Sequence, residues 1–246
     1  DGRKIKRNHN IMKYLENISL ERISNCINGK EMGDRILMGR IESFSCKRAG
    51  DDKKLSKVLE TKLVEDLASS SKNRVRSSSL GDLNSGSTRR LLIDLISTMN
   101  ASFPDYDFSS ISPESFMQED INPVVQRVNS YLAEITATTP EFLEDLWKSI
   151  DEAVQLKKCE VYSYLPDMDD DPFSDGALWC FNYFFFNKDL KRICYFTCVA
   201  KRNIRGVQMF DNEEEEEEYY DNIVSQLSRD MEDEESEEEM ETQDWE

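Results

Sequence analysis

Apolar residues recur every three to four positions in four stretches of the chain, which is the spacing of one face of an α-helix. These stretches predict four helices with the following apolar stripes: Leu20, Ile23 and Ile27; Leu91, Leu92, Leu95, Ile96 and Met99; Val124, Val125, Val128, Tyr131, Leu132 and Ile135; Phe142, Leu143, Leu146, Trp147 and Ile150. Ser87 or Thr88 is the expected N-cap of the second helix and Thr139 that of the fourth, because a hydroxyl oxygen can accept a free helical N–H. Residues 55–67 are compatible with a further short helix.

Segments rich in β-branched and aromatic residues predict strands at 36–47, 159–164, 177–187 and 193–200. In the third strand, one face carries Trp179, Phe181, Tyr183 and Phe185, and the other carries Cys180, Phe184 and Phe186. Aromatic residues on both faces indicate a strand that is covered on both sides, or one face lined for a partner. Strand, helices and then adjacent strands predict an α+β fold, a two-layer sandwich of one mainly antiparallel sheet with helices packed on it.

The composition changes between about residues 69 and 88, where eight serines and two glycines replace the large apolar residues. Such a stretch buries little apolar surface, so we expect a mobile Ser-rich loop there. The predicted organisation is an N-terminal extension at 1–11, a single domain at 12–210 interrupted by this loop, and a tail at 211–246.

The net charge of −19 is concentrated in that tail, which holds 19 acidic residues and one arginine. Residues 1–210 carry 30 basic and 31 acidic residues and are almost neutral. We expect the tail to be disordered and to disfavour direct binding of nucleic acid. The apolar cluster within 219–227 leaves a second possibility, that a short segment folds on a basic partner surface or occupies a nucleic-acid cleft by charge mimicry.

Several kinds of chemistry are disfavoured by the residue inventory. The chain has one histidine, His9, outside the predicted domain, which argues against Ser-His-Asp and Cys-His catalysis. Its six cysteines include no C-x-x-C pair, and no run of about 18 apolar residues or secretory signal is present. We therefore expect an intracellular protein with reduced thiols that is not an enzyme and has no cofactor, no metal site and no membrane partner.

Arginines at 74 and 76 precede Ser79 by five and three residues, a spacing that basophilic kinases recognise. Ser79 is the best phosphorylation candidate, with Ser77 and Ser78 as weaker ones; the alternative is an ordinary polar linker. A phosphate would add a charge of about −1.5 to −2.

Two further charged clusters have alternative interpretations. The acidic loop of Asp167, Asp169, Asp170 and Asp171 could contact a basic partner, ligate Mg²⁺ or Ca²⁺, or be a solvated turn, and it lacks EF-hand spacing. The basic cluster at the N-terminus is either a nuclear-import patch or part of a solubilising, non-native extension. Its candidate residues are Arg3, Lys4, Lys6 and Arg7.

Three blocks of sequence resemble the Maf-one family, the eukaryotic repressors of RNA polymerase III. The first is Gly39 to Lys47 followed by Ala49 to Lys53, the second is Pro104 to Phe108, and the third spans 159–164, 166–175, 178–188 and 190–193. The blocks stand in the family's order, with a low-complexity spacer between the first two.

The resemblance implies a monomeric, non-enzymatic repressor that binds RNA polymerase III and blocks its engagement with the promoter-bound initiation factor. It also implies control by kinases and phosphatases acting on the spacer, downstream of TOR-type signalling and stress, with shuttling between nucleus and cytoplasm. Composition alone leaves two rivals: a histone-chaperone-like nuclear binding protein that uses the acidic tail, and a carboxylate-metal hydrolase that uses the aspartate loop.

Overall fold

The computed structural model describes residues 12–47, 56–57, 60–61, 64, 77–166, 172–173 and 176–203 of the 246-residue chain. The strands in this part are β1 Lys13–Tyr14, β2 Lys30–Met32, β3 Arg35–Ser45, β4 Ser77–Ser78, β5 Gly81–Asp82, β6 Phe116–Glu119, β7 Glu160–Tyr164, β8 Ala177–Asn187 and β9 Arg192–Arg202. The helices are α1 Ile18–Ile27, α2 Gly86–Ser102, α3 Ile121–Leu132 and α4 Phe142–Val154. None of these helices is long and apolar enough to cross a membrane.

One antiparallel sheet organises the domain, with the strand order β1-β3-β9-β8-β7-β6 and with β2 also paired to β3. Its centre is built from the three longest strands. β3 pairs with β9 from Arg35 opposite Arg202 to Ser45 opposite Arg192. β8 pairs with the other side of β9 and carries a register shift between Ala177 and Trp179. The predicted α+β class and mainly antiparallel sheet are confirmed.

The two faces of the sheet support separate cores. Helices α1, α3 and α4 pack on one face, which we call the three-helix face, and their apolar stripes meet Phe181 and Phe185 of β8. On the opposite face, which we call the one-helix face, α2 packs against Phe184 and Phe186. The predicted alternation along β8 is confirmed, and of its two interpretations the structure shows the strand covered on both sides. Helix α2 adds a layer to the expected sandwich.

Helix α1 lies close to the sheet because β3 carries a glycine beneath it. A Cβ atom built on Gly39 would lie 2.5 Å from Ile27 Cγ2 and 3.1 Å from Cys198 Sγ. The Ser24 hydroxyl oxygen also accepts the Ile41 backbone N–H at 2.8 Å. A helix hydroxyl and a missing side chain together set the spacing between α1 and β3.

The start of α2 differs from the prediction. Ser85 is the N-cap, and its Oγ accepts the Ser87 N–H at 3.3 Å, so neither Ser87 nor Thr88 has that role. The structure also differs from the expected mobile loop at residues 77–88, because β4 and β5 form a hairpin there. The apolar residues of this stretch, Leu80 and Leu83, are buried, and Leu80 packs in the core of the one-helix face. Residues 69–76 lie outside the described part.

The start of α4 is a second correction. Glu141 occupies the N-cap position and has no capping side-chain bond. Thr139 contributes only its backbone carbonyl, which accepts the Phe142 N–H at 3.0 Å. The segment forms a backbone-bonded turn before the helix, so the Thr139 hydroxyl is not the cap.

Candidate functional site

The three candidate phosphorylation serines lie on the β4–β5 hairpin. Ser77 is opposite Asp82 and Ser78 is opposite Gly81, where a φ of +111° favours glycine. The Ser78 hydroxyl oxygen accepts the Leu80 N–H at 3.2 Å, which stabilises the turn. Ser79 is at the exposed tip of the hairpin. The structure therefore presents Ser79 to solvent on a defined turn.

The hydroxyl of Ser79 donates a hydrogen bond to the Phe116 carbonyl of strand β6. β6 is the last strand on its side of the sheet. The preceding carbonyl, that of Ser115, accepts the Leu165 N–H on the β7 side at 2.8 Å. Successive carbonyls of a strand point in opposite directions, so that of Phe116 faces away from β7. Ser79 thus satisfies an acceptor on the open edge of the sheet.

The segment between the hairpin and α2 is held by Arg89. Its Nη1 donates to the backbone carbonyls of Leu83 at 3.1 Å and Asn84 at 2.7 Å. Its Nη2 lies 3.4 Å from Glu60 Oε1, in the helical residues that precede the hairpin in sequence. One guanidinium therefore joins α2, the turn before it and Glu60.

An open groove of about 930 Å³ lies beside this hairpin on the one-helix face. It is lined by residues of α2, by Leu80 of the hairpin, and by Ser56, Lys57 and Glu60. Tyr162 and Phe186 form part of the floor and are almost fully buried. The end of β3 and the β8–β9 turn line the groove as well.

Charged side chains surround this groove. Five are basic, namely Lys47, Lys57, Arg90, Lys188 and Lys191, and three are acidic, namely Glu60, Asp94 and Glu160. Glu160 Oε1 lies 2.6 Å from Lys188 Nζ, and its Oε2 accepts the Tyr162 hydroxyl at 2.8 Å. Burial, followed by the bond to Glu160, raises the pKa of Tyr162 well above its ordinary value. The tyrosine is therefore a neutral donor at physiological pH.

The β8–β9 turn places Lys191 at the groove in an unusual backbone conformation. Its φ is +52°, in the left-handed region that favours glycine. The Lys191 carbonyl accepts the Cys46 N–H at 2.9 Å, and the Lys191 N–H donates to the Lys188 carbonyl at 3.3 Å. These bonds hold the turn beside the end of β3, so the lysines of the two segments line one groove.

A second polar group lies in the core of the one-helix face. The Tyr195 hydroxyl donates to Asn182 Oδ1 at 2.7 Å, and Asn182 Nδ2 has no hydrogen-bond partner in the described part. Burial raises the pKa of Tyr195 far above its usual range. Around it, Phe103 contacts Phe173 edge-on at 5.0 Å between ring centroids, and the Arg40 guanidinium lies 4.0 Å from the centre of the Phe103 ring. Tyr195, Asn182 and Phe173 are closed to solvent, and the partly exposed Phe103 and Arg40 cover them.

Three thiols, those of Cys159, Cys194 and Cys198, are not activated as nucleophiles. Burial raises the pKa of Cys159 to about 12, and raises those of Cys194 and Cys198 further. A thiol is nucleophilic as its thiolate, so these cysteines are inert at neutral pH. Among the residues that the structure describes, no three His, Cys, Asp or Glu side chains come together as a potential metal site.

Sequence reasoning and the structure overlap only in part at this site. Ser78 and Ser79 are placed on the hairpin, while of Ser77 the structure describes the backbone. The acidic candidates Asp167, Asp169, Asp170 and Asp171, the import candidates Arg3, Lys4, Lys6 and Arg7, and residues 211–246 lie outside the described residues. The groove lysines were missed. The signal for two of them was the short segment between the predicted strands 177–187 and 193–200, which carries Lys188 and Lys191.

The accessible chemistry of this α+β domain is a charged, open groove bordered by a serine-bearing hairpin. Open grooves are among the surfaces with which proteins bind extended segments of other proteins. A family model described as the Maf1 regulator matches residues 37–197, and the chain belongs to this family. The resemblance found in the three sequence blocks is therefore confirmed.

Curated relatives and solved structures agree with this assignment. A Schizosaccharomyces pombe protein named repressor of RNA polymerase III transcription is 36% identical over 215 residues, covering 83% of this chain and 90% of the relative. A Dictyostelium discoideum protein of the same description is 31% identical, covering 82% of this chain and 88% of the relative. The crystal structure of citrus MAF1 is similar with a TM-score of 0.61 and 35% identity, covering 75% of this chain and 99% of that one.

Proposed function

We propose that this chain is a negative regulator of RNA polymerase III transcription. The observation that carries the proposal is its similarity along most of its length to relatives named as repressors of that polymerase. The repressor binds the polymerase and blocks its engagement with the promoter-bound initiation factor. Repression by occlusion needs a recognition surface and no reacting groups, which is compatible with the open groove of this domain.

An order-of-addition transcription assay tests the occlusion mechanism. The purified chain is added to RNA polymerase III either before or after the polymerase meets promoter DNA carrying its initiation factor. We expect transcript yield to fall strongly in the first order and little in the second, because an assembled complex already covers the contested surface. RNA polymerase II on its own promoter is the control. Equal inhibition in both orders, or none in either, would contradict occlusion.

Phosphorylation of the hairpin serines is the proposed control of this activity. Ser79 is exposed and donates its hydroxyl hydrogen to the Phe116 carbonyl, a bond that a phosphate ester cannot make. The modification removes an anchor of the hairpin and adds about 1.5 to 2 negative charges. Kinases and phosphatases downstream of TOR-type signalling would set this state and, with it, the distribution of the repressor between nucleus and cytoplasm.

A Ser77/Ser78/Ser79→Ala triple variant tests this control in cells. We expect it to keep transfer RNA synthesis low in nutrient-rich medium, because none of its hairpin side chains can accept a phosphate. Ser109/Ser110→Ala is the matched control, since both serines are exposed and lie outside the hairpin. Transfer RNA synthesis that responds to nutrients in the triple variant as in the wild type would exclude the switch.

A further inference from the structure

The groove beside the hairpin offers positive charge to a ligand although its lining contains residues of both signs. Of its carboxylates, Glu60 pairs with Arg89, and Glu160 pairs with Lys188 and accepts the Tyr162 hydroxyl. Asp94 is only 7% exposed. The acidic members are therefore engaged within the domain or withdrawn from the surface.

The other four basic residues of the groove form no ion pair with a carboxylate in the described part of the chain. Lys47, Lys57, Arg90 and Lys191 are all exposed or at the groove mouth, and no ion pair joins any of them to a described carboxylate. They come from four separate segments, namely the end of β3, residues 56–57, α2 and the β8–β9 turn. The fold gathers their charges around one apolar floor.

The backbone at Lys191 is an independent sign that its side chain is used. Its φ of +52° disfavours lysine, and glycine or asparagine would adopt it at lower cost. A strained residue that the surrounding hydrogen bonds hold in place is a pointer to function. Lys191 is exposed, so its backbone conformation does not serve to bury the side chain. What the turn gains from lysine is a positive charge at the groove.

The floor of the groove favours an acidic polypeptide over single-stranded nucleic acid. Non-specific binding of single strands relies on aromatic rings on which the bases stack. Tyr162 and Phe186 are 3% and 9% exposed, so neither ring presents a face for stacking. A volume of about 930 Å³ suits a short extended segment and is too small for a folded domain.

We infer that this groove is a docking site for an acidic, extended segment of the polymerase. Carboxylates of the segment would pair with Lys47, Lys57, Arg90 and Lys191, and an apolar side chain would contact Leu80 and Leu91 on the inner wall. The inference rests on the proposed function for the source of the segment. The acidic chemistry of the occupant rests on the groove alone.

A charge-removing triple variant, Lys47→Gln, Arg90→Gln and Lys191→Gly, tests the site. Glycine at 191 removes the charge and relieves the backbone strain, so this change should not lower the melting temperature. The matched control is Lys148→Gln, Lys157→Gln and Lys158→Gln, which removes three exposed lysines outside the groove. We expect the Kd for purified RNA polymerase III to rise about tenfold in the groove variant and less than about twofold in the control.

The possible results distinguish failure of the docking site from failure of the proposed function. Wild-type affinity in the groove variant, with its fold intact, would overturn the docking site and leave the proposed function standing. Absence of polymerase binding by the wild type would overturn the proposed function.

A fluorescent glutamate-rich peptide with one central tyrosine tests the groove alone, with binding measured by anisotropy. Saturable binding that the groove variant loses supports the docking site, and equal loss of binding in the control variant overturns it. A single-stranded oligonucleotide that binds the groove more tightly than the peptide would overturn the polypeptide assignment.

Discussion

At the scale of single residues, the bond between Tyr195 and Asn182 illustrates how the one-helix face tolerates polar atoms in its core. Tyr195→Phe removes the hydroxyl and leaves Asn182 Oδ1 without its 2.7 Å donor. Because an unsatisfied buried acceptor is costly, we expect the free energy of unfolding to fall by about 1–3 kcal/mol. Tyr106→Phe, at a 41% exposed position, should change it by less than about 0.5 kcal/mol. Urea denaturation measures both, and equal losses would contradict the role of the bond.

Buried acidic groups of the core also predict how stability depends on pH. The pKa values of Tyr162 and Tyr195 are raised above 10.0 in the folded state, and those of Cys194 and Cys198 above 9.0. The unfolded chain releases these protons first as the pH rises, so the free energy of unfolding falls from about pH 9 upward. Tyr195→Phe should show a shallower fall above pH 10 than the wild type. Parallel slopes in denaturation series at about pH 8 and about pH 10.5 would contradict this assignment.

At the scale of elements, the helix starts give a paired prediction. Ser85→Ala removes the oxygen that accepts the Ser87 N–H, so we expect a loss of about 1 kcal/mol in unfolding free energy. Thr139→Ala keeps the carbonyl that accepts the Phe142 N–H and should cost less than half of that. Thermal denaturation of the two variants measures the difference. A larger loss for Thr139→Ala would restore it as the cap.

The contact between α1 and β3 gives a second prediction at this scale. Gly39→Ala places a methyl group 2.5 Å from Ile27 Cγ2, so we expect overpacking to cost about 1–3 kcal/mol. Ile27→Ala alone should cost about 2–5 kcal/mol through the cavity it leaves. The double variant should cost clearly less than the sum, because the new methyl group enters the space that Ile27 vacates. Additive losses in urea denaturation would show that the two positions are not in contact.

Sequence patterns predicted those helices and strands whose buried residues recur at a regular spacing. The alternation of Phe181 and Phe184 along β8 and the stripe of Leu20, Ile23 and Ile27 on α1 are examples. Leu80 could not be predicted as buried, because two leucines within a serine-rich stretch carry no periodic signal. The surface that covers it comes from distant parts of the chain.

The groove was hidden from sequence reasoning for a similar reason. Its basic residues are separated by up to 144 positions between Lys47 and Lys191, and only the pairing of β3 with β9 brings the two together. The left-handed backbone at Lys191 is accompanied by two bonds, one to Lys188 within the turn and one to Cys46 just beyond that pairing. Sites formed by tertiary contacts between polar residues leave no local pattern.

At the scale of the whole molecule, charge is divided along the chain. Residues 1–210 are almost neutral, yet their fold gathers exposed lysines and an arginine at one groove. Almost all the excess negative charge belongs to residues 211–246. Opposite charges on one polypeptide allow salt to act on polymerase binding through more than one surface.

Removal of residues 211–246 tests what the acidic tail contributes. We expect the melting temperature to stay within about 2 °C, because the helices and strands of the described part, which ends at residue 203, already form two apolar cores. If the tail helps to occlude the polymerase, the Kd should rise most at low salt, where charge interactions are least screened. A variant that keeps the length of the tail but carries Gln and Asn in place of Glu and Asp separates the effect of charge from that of chain length.

A lower melting temperature in the truncated chain would mean that the domain depends on the tail. Unchanged affinity at every salt concentration would mean that repression is a property of the neutral domain and its groove.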